Sequence, residues 1–364
     1  MDKTISLAER ALNKWLVIAI LLTLGFAQLL RIEVGALTFY PHDLLIVIFI
    51  VFNLRNLPRI IINKDFRIFV FLSLFLLLGL VISLTRIPPS VVGLNALYSL
   101  RLVTYLLFYF LLYAKKRIIA PFYLALPVLI GALIGLTQYF LIPDMRWAQY
   151  LGWDDHLNRL TMPHYDPTFS GVFLTLGFFA LQNLNKTSLS ALLLIPILFT
   201  YARSVWLSLV ITILLTIKNK ILAFGIISII SVLILFLPKR FGEGNNLLRT
   251  YSVSSRLTHD LAVLKTGMSH PLFGVGMNNL AEIAPSTIPN HAQSANNSYI
   301  YLFATSGVFG LSSFLYLVYR LYNTSPHKNV WIFFLVSSCF NNVLFYPFTL
   351  LYVLVLSATA PSES

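Results

Sequence analysis

Apolar residues in this chain come in long runs. They show neither the alternation of a half-buried strand nor the single stripe of a surface helix. Twelve runs can be marked, near 15–30, 41–54, 66–84, 91–113, 118–141, 167–182, 188–201, 203–217, 221–237, 297–319, 329–344 and 346–359. Crossing about 30 Å of hydrocarbon takes about 20 apolar residues in a helix, which satisfies its own backbone. The pattern therefore predicts an all-α polytopic membrane bundle of about 12 transmembrane helices, one membrane domain over residues 1–364. The single long interruption between the ninth and tenth runs, 238–296, is expected as a large loop on the outer side. Within it Leu257, Leu261, Leu264 and Met268 recur at helical spacing, which predicts a short amphipathic helix over 255–269 that Pro271 ends.

The runs 188–201 and 203–217 are short. At 1.5 Å per residue each reaches only about 21–23 Å. They meet at Tyr201-Ala202-Arg203-Ser204. The expectation is a tight helical hairpin whose tip stops below the membrane surface and holds Arg203 in a recess.

Composition supports insertion. Of 364 residues 58% are apolar and 11% charged, against about 25% charged in soluble domains. A net charge of +13 would suit nucleic acid, but basic residues also accumulate in the cytoplasmic loops of membrane proteins. With both termini cytoplasmic, the inside segments hold Lys3, Arg10 and Lys14, then Arg55, Arg59, Lys64 and Arg67. Lys115, Lys116 and Arg117, Lys186, Lys218 and Lys220, and Arg320 and Lys328 follow. The opposite side holds Glu33, Asp144, Asp154, Asp155, Asp166, Glu243, Asp260 and Glu282. Charge placement thus points to membrane lipid and to no nucleic-acid partner. The polar stretch 1–14 lacks a small-residue cleavage site after it and reads as the start of an uncleaved first span.

Chemistry is sought where charge sits at membrane depth. An arginine there costs about 2.5–3.5 kcal/mol on the insertion scale, so Arg203 either faces a cavity or snorkels to headgroups. Ser254-Ser255 can cap the 255–269 helix, placing Arg256 in its first turn, where the dipole favours an anion. The alternative is an ion pair from Arg256 to Asp260. Arg101, in the fourth run, either lines a cavity or pairs within the bundle. Pro271-Leu272-Phe273-Gly274-Val275-Gly276 is a turn whose glycines allow close backbone approach, and the glycines of Gly307-Val308-Phe309-Gly310 permit close helix packing. Asp154, Asp155, His156, His164 and Asp166 crowd one outside loop; a solvated acidic loop or one touching sugar hydroxyls fits better than a metal site, and no metal is expected. Trp147 and Trp153 suit an interface belt or stacking on a sugar. The single cysteine, Cys339, reads as a small buried apolar residue.

Taken in order, Thr200-x-x-Arg203-x-x-Trp206, Ser255-Arg256, Pro271-Leu272-Phe273-Gly274-Val275-Gly276, Asn297-Ser298-Tyr299 and Gly307-Val308-Phe309-Gly310-Leu311 resemble the O-antigen ligase and polymerase superfamily. Pro41-His42-Asp43-Leu44-Leu45 and Asp166-Pro167-Thr168-Phe169-Ser170 fit it less specifically.

The resemblance implies a metal-independent glycosyltransferase without cofactor in the bacterial plasma membrane, its active site facing outward. The donor would be an undecaprenyl-diphosphate-type, polyprenyl-diphosphate-linked glycan. The acceptor would be a hydroxyl of a glycan or lipid-glycan, as in lipopolysaccharide and other cell-surface polysaccharide assembly. Arg203 and Arg256 match the family's diphosphate-holding arginines. Asn297, Tyr299, Gly274, Gly276 and Arg101 are carried as substrate contacts. The sequence departs from the family at three places: Ala202-Arg203 where Ser-Arg is usual, Asn296-Asn297 where His-Asn is frequent, and Thr305-Ser306 where an acid often precedes the glycines. Asn296 cannot take a proton, so either His291 supplies the imidazole or the reaction needs only acceptor orientation; His259 and His270 are weaker candidates. A flippase for the same lipid-linked sugars is the competing class, but no internal duplication of the kind transporters show is present.

Overall fold

The computed structural model describes residues 2–35, 37–115, 119–238, 241–242, 244, 246–247, 250–283 and 295–359. Lys116, Arg117, Glu243 and His291 lie outside these residues.

Fifteen α-helices are described: α1 Asp2–Phe26, α2 Pro41–Asn53, α3 Leu57–Ile61, α4 Lys64–Ser83, α5 Pro89–Lys115, α6 Pro121–Leu141, α7 Pro167–Asn183 and α8 Thr187–Phe199. The chain continues with α9 Arg203–Thr216, α10 Lys220–Leu235, α11 Tyr251–Ser269, α12 Leu280–Ile283, α13 Ser298–Thr324, α14 Lys328–Ser337 and α15 Pro347–Ala358. Strands β1 Ile32–Val34 and β2 Leu37–Phe39 form one small antiparallel hairpin, with Glu33 opposite Thr38. The fold is all-α apart from that hairpin. Six segments are long and apolar enough to cross a membrane: Glu9–Leu30, Pro41–Ile61, Lys64–Ser83, Pro89–Lys115, Pro121–Leu141 and Ser298–Thr324. Five further apolar helices are shorter, α8, α9, α10, α14 and α15. The protein is a multi-pass membrane protein.

The most completely buried helices are α7 and α15. In α7 only Phe169, Gln182 and Asn183 escape burial, and in α15 only Pro347. A helix apolar on all sides has to be surrounded by others, and α7 packs on α6, α8, α14 and α15. At one end of the bundle Glu9 bonds Arg55 and Lys115, and Asp65 bonds Arg320 at 2.7 Å. These contacts gather loops that the charge pattern puts on a single side.

Two glycine-containing stretches prove to be partners. Gly307 has φ +65° and ψ −171° and breaks α13. A break there strands the carbonyls of Ala304 and Thr305 and the amides of Val308 and Phe309, which would have bonded one another in a continuous helix. The turn after α11 takes up all four. Val275 N donates to Ala304 O (3.0 Å) and Gly276 N to Thr305 O (2.8 Å), while Val308 N donates to Pro271 O (2.8 Å) and Phe309 N to Leu272 O (3.5 Å). Gly274 and Gly276 sit at φ +67° and +80°, and a Cβ on Gly274 would lie 2.4 Å from the backbone of Thr305. The glycines are therefore required by backbone-to-backbone docking.

Three expectations need correction. The run 329–344 is helical only through α14; residues 338–346 are irregular before Pro347 starts α15. Non-helical backbone at this depth is tolerated where protein buries it or a cavity borders it. The helix expected over 255–269 begins at Tyr251, behind Thr250 as N-cap. Ser254 and Ser255 are ordinary helical positions, and Arg256 sits in the second turn, away from the dipole end. The stripe is also turned outward: Leu257, Leu261 and Met268 are exposed, while Val263 is buried and Gly267 abuts Phe303 and Ala304 of α13. Close approach at Gly267 sets that rotation. Finally, Cys339 is exposed, because the irregular segment carries it to a cavity wall.

Candidate active site

A cavity of about 940 Å³ lies between the 142–166 loop, the tip of the α8–α9 hairpin, the start of α11 and the irregular 338–341 segment. Its walls carry Arg146, Arg159, Arg203 and Arg256, facing Asp154, Asp155, Asp166 and Asp260. Leu207, Val253, Leu257 and Phe340 supply apolar surface. Charged side chains and apolar surface thus share the same walls.

The hairpin turn explains the Thr-x-x-Arg-x-x-Trp spacing. Thr200 Oγ1 and Trp206 Nε1 both donate to Ile197 O, at 2.7 and 3.3 Å. Tyr201 takes the left-handed conformation, φ +51°. These bonds fix where α9 begins, so Arg203 is its first residue, with Ala202 as N-cap. Ala202 offers no side-chain acceptor to the first-turn amides, where Ser would. The helix end that favours an anion is therefore that of α9, beside Arg203, and not that of α11. Arg203 Nη1 donates to Leu247 O at 2.8 Å.

Arg256 reaches across to the break between α14 and α15. Its Nη1 donates to Asn341 Oδ1 at 2.7 Å and lies 3.4 Å from Phe340 O. Asn341 Nδ2 in turn donates to Ser204 Oγ at 3.1 Å. One amide thereby couples the two arginine-bearing elements. The alternative reading of Arg256, an ion pair with Asp260, is not seen among the described residues; Asp260 accepts instead from the backbone of Asn296 at 2.7 Å.

Of the remaining expected site residues, Asn296 lines the cavity, with Nδ2 3.3 Å from His259 Nδ1. Asn297 caps α13, accepting from Tyr299 N and Ile300 N, and donates to Cys339 O. Tyr299 donates to Leu335 O at 2.8 Å. Neither Asn297 nor Tyr299 lines the cavity, nor do Gly274 and Gly276. His270 bonds locally with Ser269 and Thr266. Arg101 is also elsewhere: it donates to Asp43 Oδ2 at 3.1 Å and Thr38 O at 2.6 Å, and borders a separate, apolar pocket of about 160 Å³. Tyr105 donates to the other oxygen of Asp43 and lies 2.9 Å from His42 Nε2.

Sequence reading passes over Arg159. It is 6% exposed and clamps the hairpin tip, donating to Thr200 O (3.0 Å) and Tyr201 O (3.3 Å). A cation at the carbonyl end of α8 is well placed. Nothing in its spacing flags it, whereas Asn341-Asn342 before Pro347 is a legible sign of interruption in an apolar run.

The acidic loop is ordered as a hairpin. Asp144 pairs with Leu157, and Met145 N donates to His156 O at 2.8 Å. Trp153 stacks on Tyr165 and lies under Arg31, and Trp147 meets the edge of Tyr165. Asp166 caps α7, accepting from Thr168 N and Phe169 N at 2.6 and 2.8 Å. Asp154, His156 and Asp166 each bring a ligand-capable atom within 4.8 Å of the others, whereas His164 is buried on Tyr346 at 3.0 Å. Burial pushes His156 below the usual imidazole range, against an upward pull from Asp166. The Arg146 side chain holds exposed Asp144 down at about 2.

Residues 188–315, about a third of the chain, match the family model described as O-antigen ligase. The match covers the hairpin, α11 and the first two thirds of α13. No curated protein matches the chain.

Proposed function

We propose, from the match of residues 188–315 to the O-antigen ligase family model, that this protein transfers a glycan from a polyprenyl-diphosphate carrier to an acceptor hydroxyl. The family region supports a role in polysaccharide assembly. The observation that carries the finer reading is the convergence of Arg203 and Arg256, 53 positions apart, on one cavity with apolar wall patches. A departing diphosphate gains negative charge, and guanidinium groups held in place stabilise that charge in the transition state. Arg203 adds the amide end of α9, and Leu207, Val253 and Leu257 suit the adjoining lipid. Asn296, on the same wall system as Asp260, is assigned to orienting the acceptor. Arg101 is assigned to its ion pair with Asp43 and not to the diphosphate. The cavity faces the outer side of the plasma membrane in this reading.

The test uses purified protein in proteoliposomes with the lipid-diphosphate-linked glycan of the cell the chain comes from. Arg203→Ala and Arg256→Ala should each cut transfer by about 10²–10³-fold while the protein stays folded. Normal transfer by both variants would sink the diphosphate assignment. Movement of the lipid-linked glycan across the bilayer without any new glycosidic bond would instead indicate a flippase.

A further inference from the structure

Glycosyl transfer leaves one proton to place. The acceptor O–H oxygen forms a bond to the anomeric carbon as the bond from that carbon to the diphosphate oxygen breaks. The electron pair departs with the diphosphate, and the hydroxyl proton must go to a base. Asn296 is an amide and cannot accept it.

Among the described residues the cavity wall carries one imidazole, His156. Its Nε2 is buried and has no hydrogen-bond partner among the described residues. The backbone pairing of Met145 with His156 and of Asp144 with Leu157 fixes where the ring sits. Asp154 and Asp166 lie within 4.8 Å of it, and Asp166 is itself held by two amides at the start of α7. An imidazole with two carboxylates within 4.8 Å and a ring nitrogen without a hydrogen-bond partner among the described residues has the groups that a general base needs.

We propose that His156, steadied by Asp166 and Asp154, takes the proton of the acceptor hydroxyl. This rests on the glycosyl-transfer reading. The proton moves to a ring nitrogen, the imidazolium is balanced by the two carboxylates, and the proton then leaves to water. The histidine absent at Asn296 is replaced from a different loop, one that lies outside the matched 188–315 region.

His156 must be neutral to act. The groups acting on it are Asp166, Asp154 and Asp155, which raise its affinity for a proton, and burial and Arg159, which lower it; burial dominates. The acid limb of turnover should therefore lie below the ordinary imidazole value of about 6.5.

The test pairs turnover with binding. His156→Gln should lose about 10²–10⁴-fold in turnover and lose the acid limb, while undecaprenyl diphosphate, used as the binding probe, binds within about threefold of wild type. His156→Ala should regain part of its turnover on addition of imidazole, which no purely structural histidine would show. Wild-type turnover by His156→Gln with an unchanged acid limb would overturn the proposal and leave the diphosphate reading standing. So would inhibition of the wild type by EDTA reversed by a divalent ion, which would assign the cluster to a metal. Failure of the wild-type protein to bind undecaprenyl diphosphate or to transfer glycan would instead remove the underlying reading.

Discussion

Asn341 holds Arg256: its Oδ1 accepts from the guanidinium at 2.7 Å, while its Nδ2 reaches Ser204 Oγ at 3.1 Å, next to Arg203. A hydrogen bond to a charged group is worth about 1.5–3 kcal/mol. Asn341→Ala should therefore lower turnover by about 10–150-fold, with the protein folded. Asn341→Asp should weaken binding of undecaprenyl diphosphate more than Asn341→Ala does, because a carboxylate would compete with the ligand for Arg256. Calorimetric binding beside a transfer assay checks both. Equal affinities for the two variants would contradict the coupling.

The docking of the 271–276 turn on the α13 break predicts a structural sensitivity at Gly307. Its φ is +65°, and a Cβ would lie 2.2 Å from the carbonyl carbon and oxygen of Leu272. Positive φ alone costs about 1–3 kcal/mol for a non-glycine residue, and the clash is with backbone that cannot rotate away. Gly307→Ala should lose more than about 3 kcal/mol. A Cβ on Gly225 of α10 would have nothing within 4 Å of it, so Gly225→Ala should be neutral or slightly stabilising, by up to about 1 kcal/mol. Thermal unfolding in detergent separates them.

Arg101 and Asp43 offer a second stability test. Each is about a fifth exposed, and Asp43 also accepts from Tyr105 and from Tyr40 N. Asp43→Leu strips a counter-charge from Arg101 and should destabilise by about 3 kcal/mol, as breaking such pairs does. The double variant Asp43→Leu with Arg101→Leu should be less destabilised than the sum of the single ones. Additive losses would argue that the pair contributes nothing as a unit.

How far these features can be read from the chain depends on the distance between partners. Arg203 is legible because apolar runs flank it and charge at that depth demands a reason. The hairpin is legible from run length. The reciprocal bonds between Pro271-Leu272, Val275-Gly276 and the Gly307 break are not, because glycine says only that backbone can approach, not what approaches it. Arg256 stands out, but its partner lies 85 positions away on a segment whose apolar character reads as a continuous span. The start of α11 is hard to place because Ser254-Ser255 are good caps locally, while Thr250 precedes a helix-compatible Tyr251-Ser252-Val253. Arg159 is hidden, and His156 reads only as one member of a crowded acidic loop, because the hairpin of the 142–166 loop, and not any spacing, turns both toward the cavity.

Cys339 gives a direct probe of that cavity and of its side of the membrane. It is the only cysteine in the chain, it is exposed, and it stands on the cavity wall beside Phe340. It lies in the irregular 338–346 segment that follows α14. A membrane-impermeant maleimide should label intact cells or right-side-out vesicles at this residue, and Cys339→Ser should abolish labelling. Saturating undecaprenyl diphosphate bound between Arg203 and Arg256 should slow the reaction by at least about tenfold, since occupancy at about 10 Kd leaves about a tenth of the sites open. Labelling only after the membrane is permeabilised would reverse the orientation. Labelling unaffected by undecaprenyl diphosphate, in a protein that still transfers glycan, would place the diphosphate elsewhere than on this wall.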